Sequence, residues 1–325
     1  MNTVMIISAI TIGVVFLYGC VGEIITEKAG HLNLGIPGIM CVGAAGGCYG
    51  ASEYISTLAD QYGYIASDPS LFLLIINTVL YAFIFAALAG LVYAFLTVSL
   101  HSNQNVTGLA LTTFGAGLSQ YLMDKVVKKE YLADASKVLQ KLFAPSLSQT
   151  PFGQVVFSHG FLVYFAIIIA LVAFLILKRT KIGLSLRAVG ENPAVADSAG
   201  INVTLYKYSA ILIGSGIAGL GGICYIMNYT GGAWQNSLTV QALGWLAIAL
   251  VIFTLWNPAL SILGSFIFGL LFIASEFLKI PINKRLIELL PYFVTIIVLV
   301  FTSIFGSKSV QPPASLGLNY FREER

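Results

Sequence analysis

Apolar runs of about 17 to 25 residues recur from one end of this chain to the other, and each can cross about 30 Å of hydrocarbon as a helix. In lipid every backbone N–H and C=O must find its partner within the segment. The expected fold is therefore all-α, a polytopic transmembrane helical bundle. Nine segments can be drawn, at about 3–22, 33–52, 70–98, 104–122, 158–177, 206–227, 241–256, 259–278 and 290–306, with ends uncertain by a few residues. About 8–10 spans are expected, some of them broken or re-entrant. Only 10% of residues are charged, against about 25% in a soluble domain. No polar stretch amounts to a separate soluble domain, so residues 1–325 read as one membrane unit.

Two segments begin unusually. Asn33-Leu-Gly-Ile-Pro37-Gly38 opens the second, followed by Gly43, Gly46, Gly47 and Gly50. Pro and clustered Gly favour an interrupted helix that is buried or lines a cavity. The fourth opens on Ser102-Asn-Gln-Asn-Val-Thr-Gly108. Val106-Thr-Gly-Leu-Ala has a faint echo in Val240-Gln-Ala-Leu-Gly, the kind of pairing that duplicated transporters show. Small residues four apart, such as Gly43/Gly47 and Ser215/Gly219, let backbones approach closely.

Most enzymatic chemistry is excluded. There is no Gly-x-x-x-x-Gly-Lys-Ser/Thr phosphate loop, so ATP is not bound here in that manner. Gly214–Gly222 is glycine-rich but lies inside an apolar span, where helix packing explains it. Cys20, Cys41, Cys48 and Cys224 all lie in apolar runs without metal-ligand spacing. His31, His101 and His159 lack neighbouring carboxylates or cysteines. No metal site, cofactor or catalytic residue is expected, and a net charge of +3 does not imply nucleic acid. Intramembrane carboxylates would signal an ion relay, but Glu23 and Glu276 both fall near span edges, within reach of headgroups. Leu17-Tyr-Gly-Cys20 resembles a lipoprotein cleavage site, yet no Lys or Arg precedes it. An uncleaved first helix is expected.

The polar insert at 178–205 carries the best local punctuation. Asn192 suits a helix N-cap, Pro193 the first helical position, and Gly200 the residue just past the end. So short a helix is marginal alone and needs docking to persist. Its small Ala194, Ala196 and Ala199 fit a partner's groove. Composition by itself also accommodates an ordinary structured loop. The Lys and Arg residues divide nine against eight between the two faces of the membrane, so charge does not orient the chain.

At these residues the chain resembles the permease subunits of ABC importers in the branched-chain amino acid/ribose superfamily. The nearest branch is the nucleoside uptake systems of the basic-membrane-protein lipoprotein type. The resemblance rests on Gly22–Met40 (GEIITEKAGHLNLGIPGIM), on Leu186–Pro193 with Ala199–Val203, on Gln241–Ala249, and on Trp256-Asn-Pro258. It covers nearly the whole chain, departing from the family at Pro37, where an acidic residue is usual, and in the long 123–157 insert.

The resemblance implies a permease domain over 1–325 whose 178–205 segment is cytoplasmic. Arg187, Gly190, Glu191, Asn192, Pro193 and Gly200 would couple it to an ATP-binding subunit that hydrolyses ATP. It further implies a second homologous permease and an extracytoplasmic substrate-binding lipoprotein, all in the multi-pass cell membrane of a bacterium. The 123–157 insert would be extracytoplasmic, either docking the lipoprotein or simply solvated. Polar residues at the interrupted helix starts are the candidate substrate pathway: Asn33, Asn105, Thr107, Trp234 and Gln235. Trp234 fits equally as an interfacial anchor. Purine nucleosides are the favoured substrate, with riboflavin and sugars such as ribose as competitors. The alternatives are an ion-coupled secondary transporter acting alone and a structural membrane scaffold.

Overall fold

A computed structural model describes residues 3–62, 69–141, 150–277, 284–287, 289–305 and 311–321. Regular structure among the described residues is entirely helical. The nine apolar segments become α1 (Thr3–Glu27), α2 (Ile36–Tyr62), α3 (Leu71–Ala94), α4 (Gln104–Lys125), α7 (Phe161–Arg179), α10 (Val203–Cys224), α11 (Ser237–Phe253), α12 (Pro258–Phe277) and α14 (Leu290–Phe305). The long insert supplies two short helices, α5 (Leu132–Leu139) and α6 (Pro151–Phe157). The polar insert supplies α8 (Lys181–Glu191) and α9 (Pro193–Ser198), and α13 (Lys284–Ile287) is a single turn.

By length and composition, α1, α3 with the turn that extends it to Ser99, α7, and α10 extended to Tyr229 can each cross a bilayer. α11, α12 and α14 are apolar but shorter. α3, α7 and α14 keep outward faces of Leu, Ile, Val and Phe, as lipid requires. α2 is largely buried among α3, α10 and α4, so its many glycines are not presented to lipid.

Close backbone approach holds α2 to α10. A Cβ built on Gly43 would lie 2.3 Å from Cα of Gly219, so Gly43→Ala must push the two helices apart. Overpacking of this kind costs about 1–3 kcal/mol. The variant is expected to unfold several degrees lower in detergent, and an unchanged midpoint would contradict this packing.

The interruption expected near Pro37 lies at the mouth of the helix. α2 runs unbroken, and Pro37 occupies its first turn, where a missing N–H is harmless. Residues 28–35 form the non-helical entrance.

The echo between the two halves is structural. α3 and α10 each end in a π-helical turn, at Phe95–Ser99 and Tyr225–Tyr229. A short turn follows each, with His101 at φ 55° in one and Gly231 at φ 66° in the other. An Asn then caps the next helix: Asn103 accepts from the N–H of Val106, and Asn236 from that of Thr239. α10 starts beside the end of α3, where Tyr208 OH and Ser99 Oγ lie 2.6 Å apart, so the two units run in opposite directions, as in an inverted repeat.

Candidate coupling and translocation sites

The polar insert folds as its punctuation predicts. Asn192 Oδ1 accepts from the Val195 N–H at 3.1 Å, Pro193 opens α9, and Gly200 sits at φ +83°. α8 has its own cap, Thr180 Oγ1 accepting from the Gly183 N–H at 3.1 Å. Between the helices Gly190 is buried, and a Cβ there would come within 2.3 Å of the Lys28 carbonyl oxygen. Arg187, Glu191 and Asn192 are exposed.

Of the three alanines expected to meet a partner's groove, Ala199 is exposed and Ala194 half-buried, but Ala196 points inward, contrary to expectation. That alanine is buried with Val189 and Val203 in a cluster that seats α9 on α8 and the start of α10. Larger apolar side chains project outward. Ile182, Leu184, Val195 and Leu205 are each at least 60% exposed on an otherwise polar segment.

A tail with a turn at its centre, residues 311–321, ties this segment down. The Ser315 N–H and Oγ both donate to the Gly190 carbonyl, and the Gly317 N–H donates to that of Gly30 at 3.2 Å. Ala314 N–H reaches Glu191 Oε2 at 3.3 Å, and Tyr320 OH donates to Asp197 Oδ2 at 2.9 Å. The same tail holds the α3–α4 turn: Asn319 Nδ2 donates to the His101 carbonyl, and His101 stacks on Phe321.

Beneath this end lies a buried polar layer. Glu23 is fully buried, not at a headgroup edge, and its Oε1 accepts from the Asn33 N–H at 2.9 Å. Glu27, one turn on, accepts from Trp256 Nε1. Leu255 and Trp256 both take left-handed backbone conformations, φ 54° each, which swing the indole onto α1 ahead of Pro258. His31 is buried edge-on to Tyr93, and burial with Lys207 nearby pushes its imidazole well below the usual range. The side chain of Glu276, the other carboxylate singled out, lies outside the described residues.

The five candidate pathway residues fall into two groups. Asn33, Asn105 and Thr107 gather where α2 and α4 begin. There Gln104 Oε1 accepts from the Leu32 N–H, and Thr112 Oγ1 donates to the Leu34 carbonyl. Asn33 is fully buried, its Oδ1 accepting from the Gly35 N–H, so it shapes the loop and does not line an opening. Thr107 is also buried, and only Asn105 of the three is exposed. Trp234 and Gln235 lie at the opposite end of α4, where the Ser237 N–H donates to Gln120 Oε1. Trp234 is partly buried against the core, and Gln235 is exposed. Fifteen residues of α4 separate Asn105 from Gln120, about 22 Å along the axis.

The outward face of α4 joins the two groups. It carries Asn105, Thr113 and Gly117 among Val106, Leu109, Phe114 and Tyr121. A stripe this mixed suits water or protein better than lipid. The 123–157 insert sits at the end away from α8 and α9. Lys128 pairs with Glu53 near the end of α2 at 3.3 Å, and Ser136 Oγ donates to the Met227 carbonyl at 2.6 Å.

A lipid-facing helical bundle built on an inverted repeat, with short helices folded onto one end, is the architecture of an integral membrane transport protein. The sequence model of the family described as "Branched-chain amino acid transport system / permease component" matches residues 5–300, and the chain belongs to this family. It is an ABC transporter permease subunit. The nucleoside ABC transporter permease protein NupC of Lactococcus lactis is 30% identical over 95% of this chain and 93% of its own. The guanosine ABC transporter permease protein NupQ of Bacillus subtilis is 27% identical, over 94% and 92%. A Haloferax volcanii relative, provisionally assigned as a glucose ABC transporter permease, is 30% identical over 95% and 94%.

Proposed function

We propose that this chain forms half of the membrane pore of an ATP-driven importer for purine nucleosides. The observation that carries the ATP-driven part is the coupling end. Capped α8 and α9 present exposed apolar side chains to the surroundings, while the tail fastens them to the entrances of α2 and α4. An ATP-binding subunit would seat on Ile182, Leu184, Val195 and Leu205, with Arg187, Glu191 and Asn192 around them. Closure of the two ATP-binding subunits would then shift α8 and α9 and, through the tail, the start of α4. On this reading the 178–205 segment is cytoplasmic and the 123–157 insert extracytoplasmic. ATP is hydrolysed on the partner, and no cofactor resides in this chain.

A second, related permease would complete the pore opposite the mixed face of α4, and a substrate-binding lipoprotein would deliver cargo near Trp234 and Gln235. Purine nucleosides are favoured by the nucleoside and guanosine transport named for two relatives. Phe114 and Tyr121 on the exposed face of α4 offer rings on which a base can stack. The Haloferax relative supports a sugar as the second reading.

Reconstitution tests the mechanism. Glu191→Ala/Asn192→Ala removes the α9 cap, worth about 1 kcal/mol, and the anchor for the Ala314 N–H. Substrate-stimulated ATP hydrolysis by the assembled complex is expected to fall at least about fivefold, with membrane insertion unchanged. Normal coupled turnover would reject the assigned role, and uptake by vesicles holding this chain without any ATPase would reject ATP-driven import altogether.

A further inference from the structure

A cavity of about 410 Å³ opens between the end of α7, the second half of α8, the residue after α1 and the α11–α12 turn. Three cationic side chains line it, Lys28, Lys178 and Arg187. Among the described residues none of the three forms an ion pair. Glu191 and Glu27 lie near enough to attract Lys28, but each is also engaged elsewhere: Glu27 accepts from Trp256 Nε1, and Glu191 Oε2 takes the Ala314 N–H. Lys178 is held over the Phe174 ring at 5.1 Å. The two carboxylates offset part of the repulsion at Lys28, and Lys178 and Arg187 still face the cavity without an ion pair, so an anion seated there would be attracted by all three cations.

The rest of the lining says which anion. Phe174, Leu177, Pro258 and Leu260 form the apolar side of the cavity. This side continues into the outward faces of α7 and α12, where Leu171, Leu175 and Leu263 are 46%, 53% and 61% exposed. α7 has a mean hydropathy of 2.8 and is two-thirds unburied, so that face lies in lipid. The cations sit where α7 ends and α12 begins, the level at which a bilayer gives way to headgroups. Basic pockets between spans at this depth fit anionic headgroups, whose acyl chains can follow the apolar groove.

We propose that this cavity is a binding site for an anionic phospholipid, its phosphodiester held by Lys28, Lys178 and Arg187 and its chains lying along α7 and α12. The site shares Arg187 with the coupling segment, so an occupied site would brace α8 against the membrane. A soluble acidic partner would use the charges but not the apolar groove, which is why lipid is preferred.

The test is lipid retention by the purified full-length chain. It is equilibrated with equal amounts of phosphatidylglycerol and phosphatidylcholine and then weighed by native mass spectrometry. Phosphatidylglycerol is expected to be retained at least tenfold over phosphatidylcholine. Lys178 is exposed, so Lys178→Gln should fold normally and lower that retention about fivefold. Lys28→Gln/Lys178→Gln should bring it to the phosphatidylcholine level. Equal retention of the two lipids by the unaltered chain would overturn the site without recourse to any variant. So would variants that keep phosphatidylglycerol as the unaltered chain does. Loss of ATP-binding subunit association in the variants, with lipid retention intact, would assign the cations to a protein partner and overturn it too.

Discussion

Leu184→Asp/Val195→Asp is expected to abolish co-purification of the ATP-binding subunit, weakening association at least about thirtyfold. Both side chains are 61% exposed, and neither is part of the cluster of Val189, Ala196 and Val203 that seats α9. The double variant should therefore insert and fold as the unaltered chain does. Apolar anchors at the centre of an interface are worth about 2 kcal/mol or more each, and burying a carboxylate in their place adds a desolvation penalty. The measurement is subunit stoichiometry after detergent purification, with thermal unfolding as the control for folding. Full stoichiometry with both aspartates in place would show that the subunit seats elsewhere. Glu191→Ala/Asn192→Ala acts differently, since it loosens α9 without changing the apolar surface, and it should impair turnover more than assembly.

Removing residues 311–325 is expected to leave the ATP-binding subunit attached but to lower transport per ATP hydrolysed by tenfold or more. The described part of the tail contributes bonds to Gly190, Glu191 and Asp197 on one side. On the other side it holds Gly30 and His101. A movement of α8 and α9 thus reaches the α3–α4 turn and the α2 entrance through one strap. Each neutral hydrogen bond is worth about 1 kcal/mol net, and the Tyr320–Asp197 bond to a carboxylate about 1.5–3. Tyr320→Phe alone should therefore reproduce part of the loss. Uptake and ATP hydrolysis measured on the same proteoliposomes give the ratio directly. An unchanged ratio in the truncated protein would remove the strap from the coupling route.

The candidate sites were unevenly legible. Asn192, Pro193 and Gly200 could be read because caps and turns obey rules that act over three or four residues. The apolar spans were legible because bilayer thickness imposes a length. Asn33 was read as a pathway candidate from its polarity beside a helix break, which looks the same whether the residue faces a channel or caps a loop. Only the Asn33 Oδ1 bond to the Gly35 N–H and complete burial separate the two. Ala196 was misread for a related reason: a small side chain suits the inside of a chain as well as a partner's groove. Glu23 looked like an edge carboxylate by position along α1, yet the returning loop at Asn33 covers it. The tail gave no signal, since Ser315 and Gly317 acquire meaning only from the carbonyls they meet.

The order of residues alone determined that this chain spans membranes many times, where its spans begin, and that a short capped helix interrupts them. Those features follow from hydrophobic length and local hydrogen bonding, which depend on neighbours in sequence. The tertiary structure decided which polar groups are sealed inside, that two helix pairs repeat in opposite directions, and that Gly30 and Gly317 meet across nearly the whole chain. Such contacts come from how closely glycine-lined helices pack, as at Gly43 and Gly219, and packing brings together residues that no local rule connects.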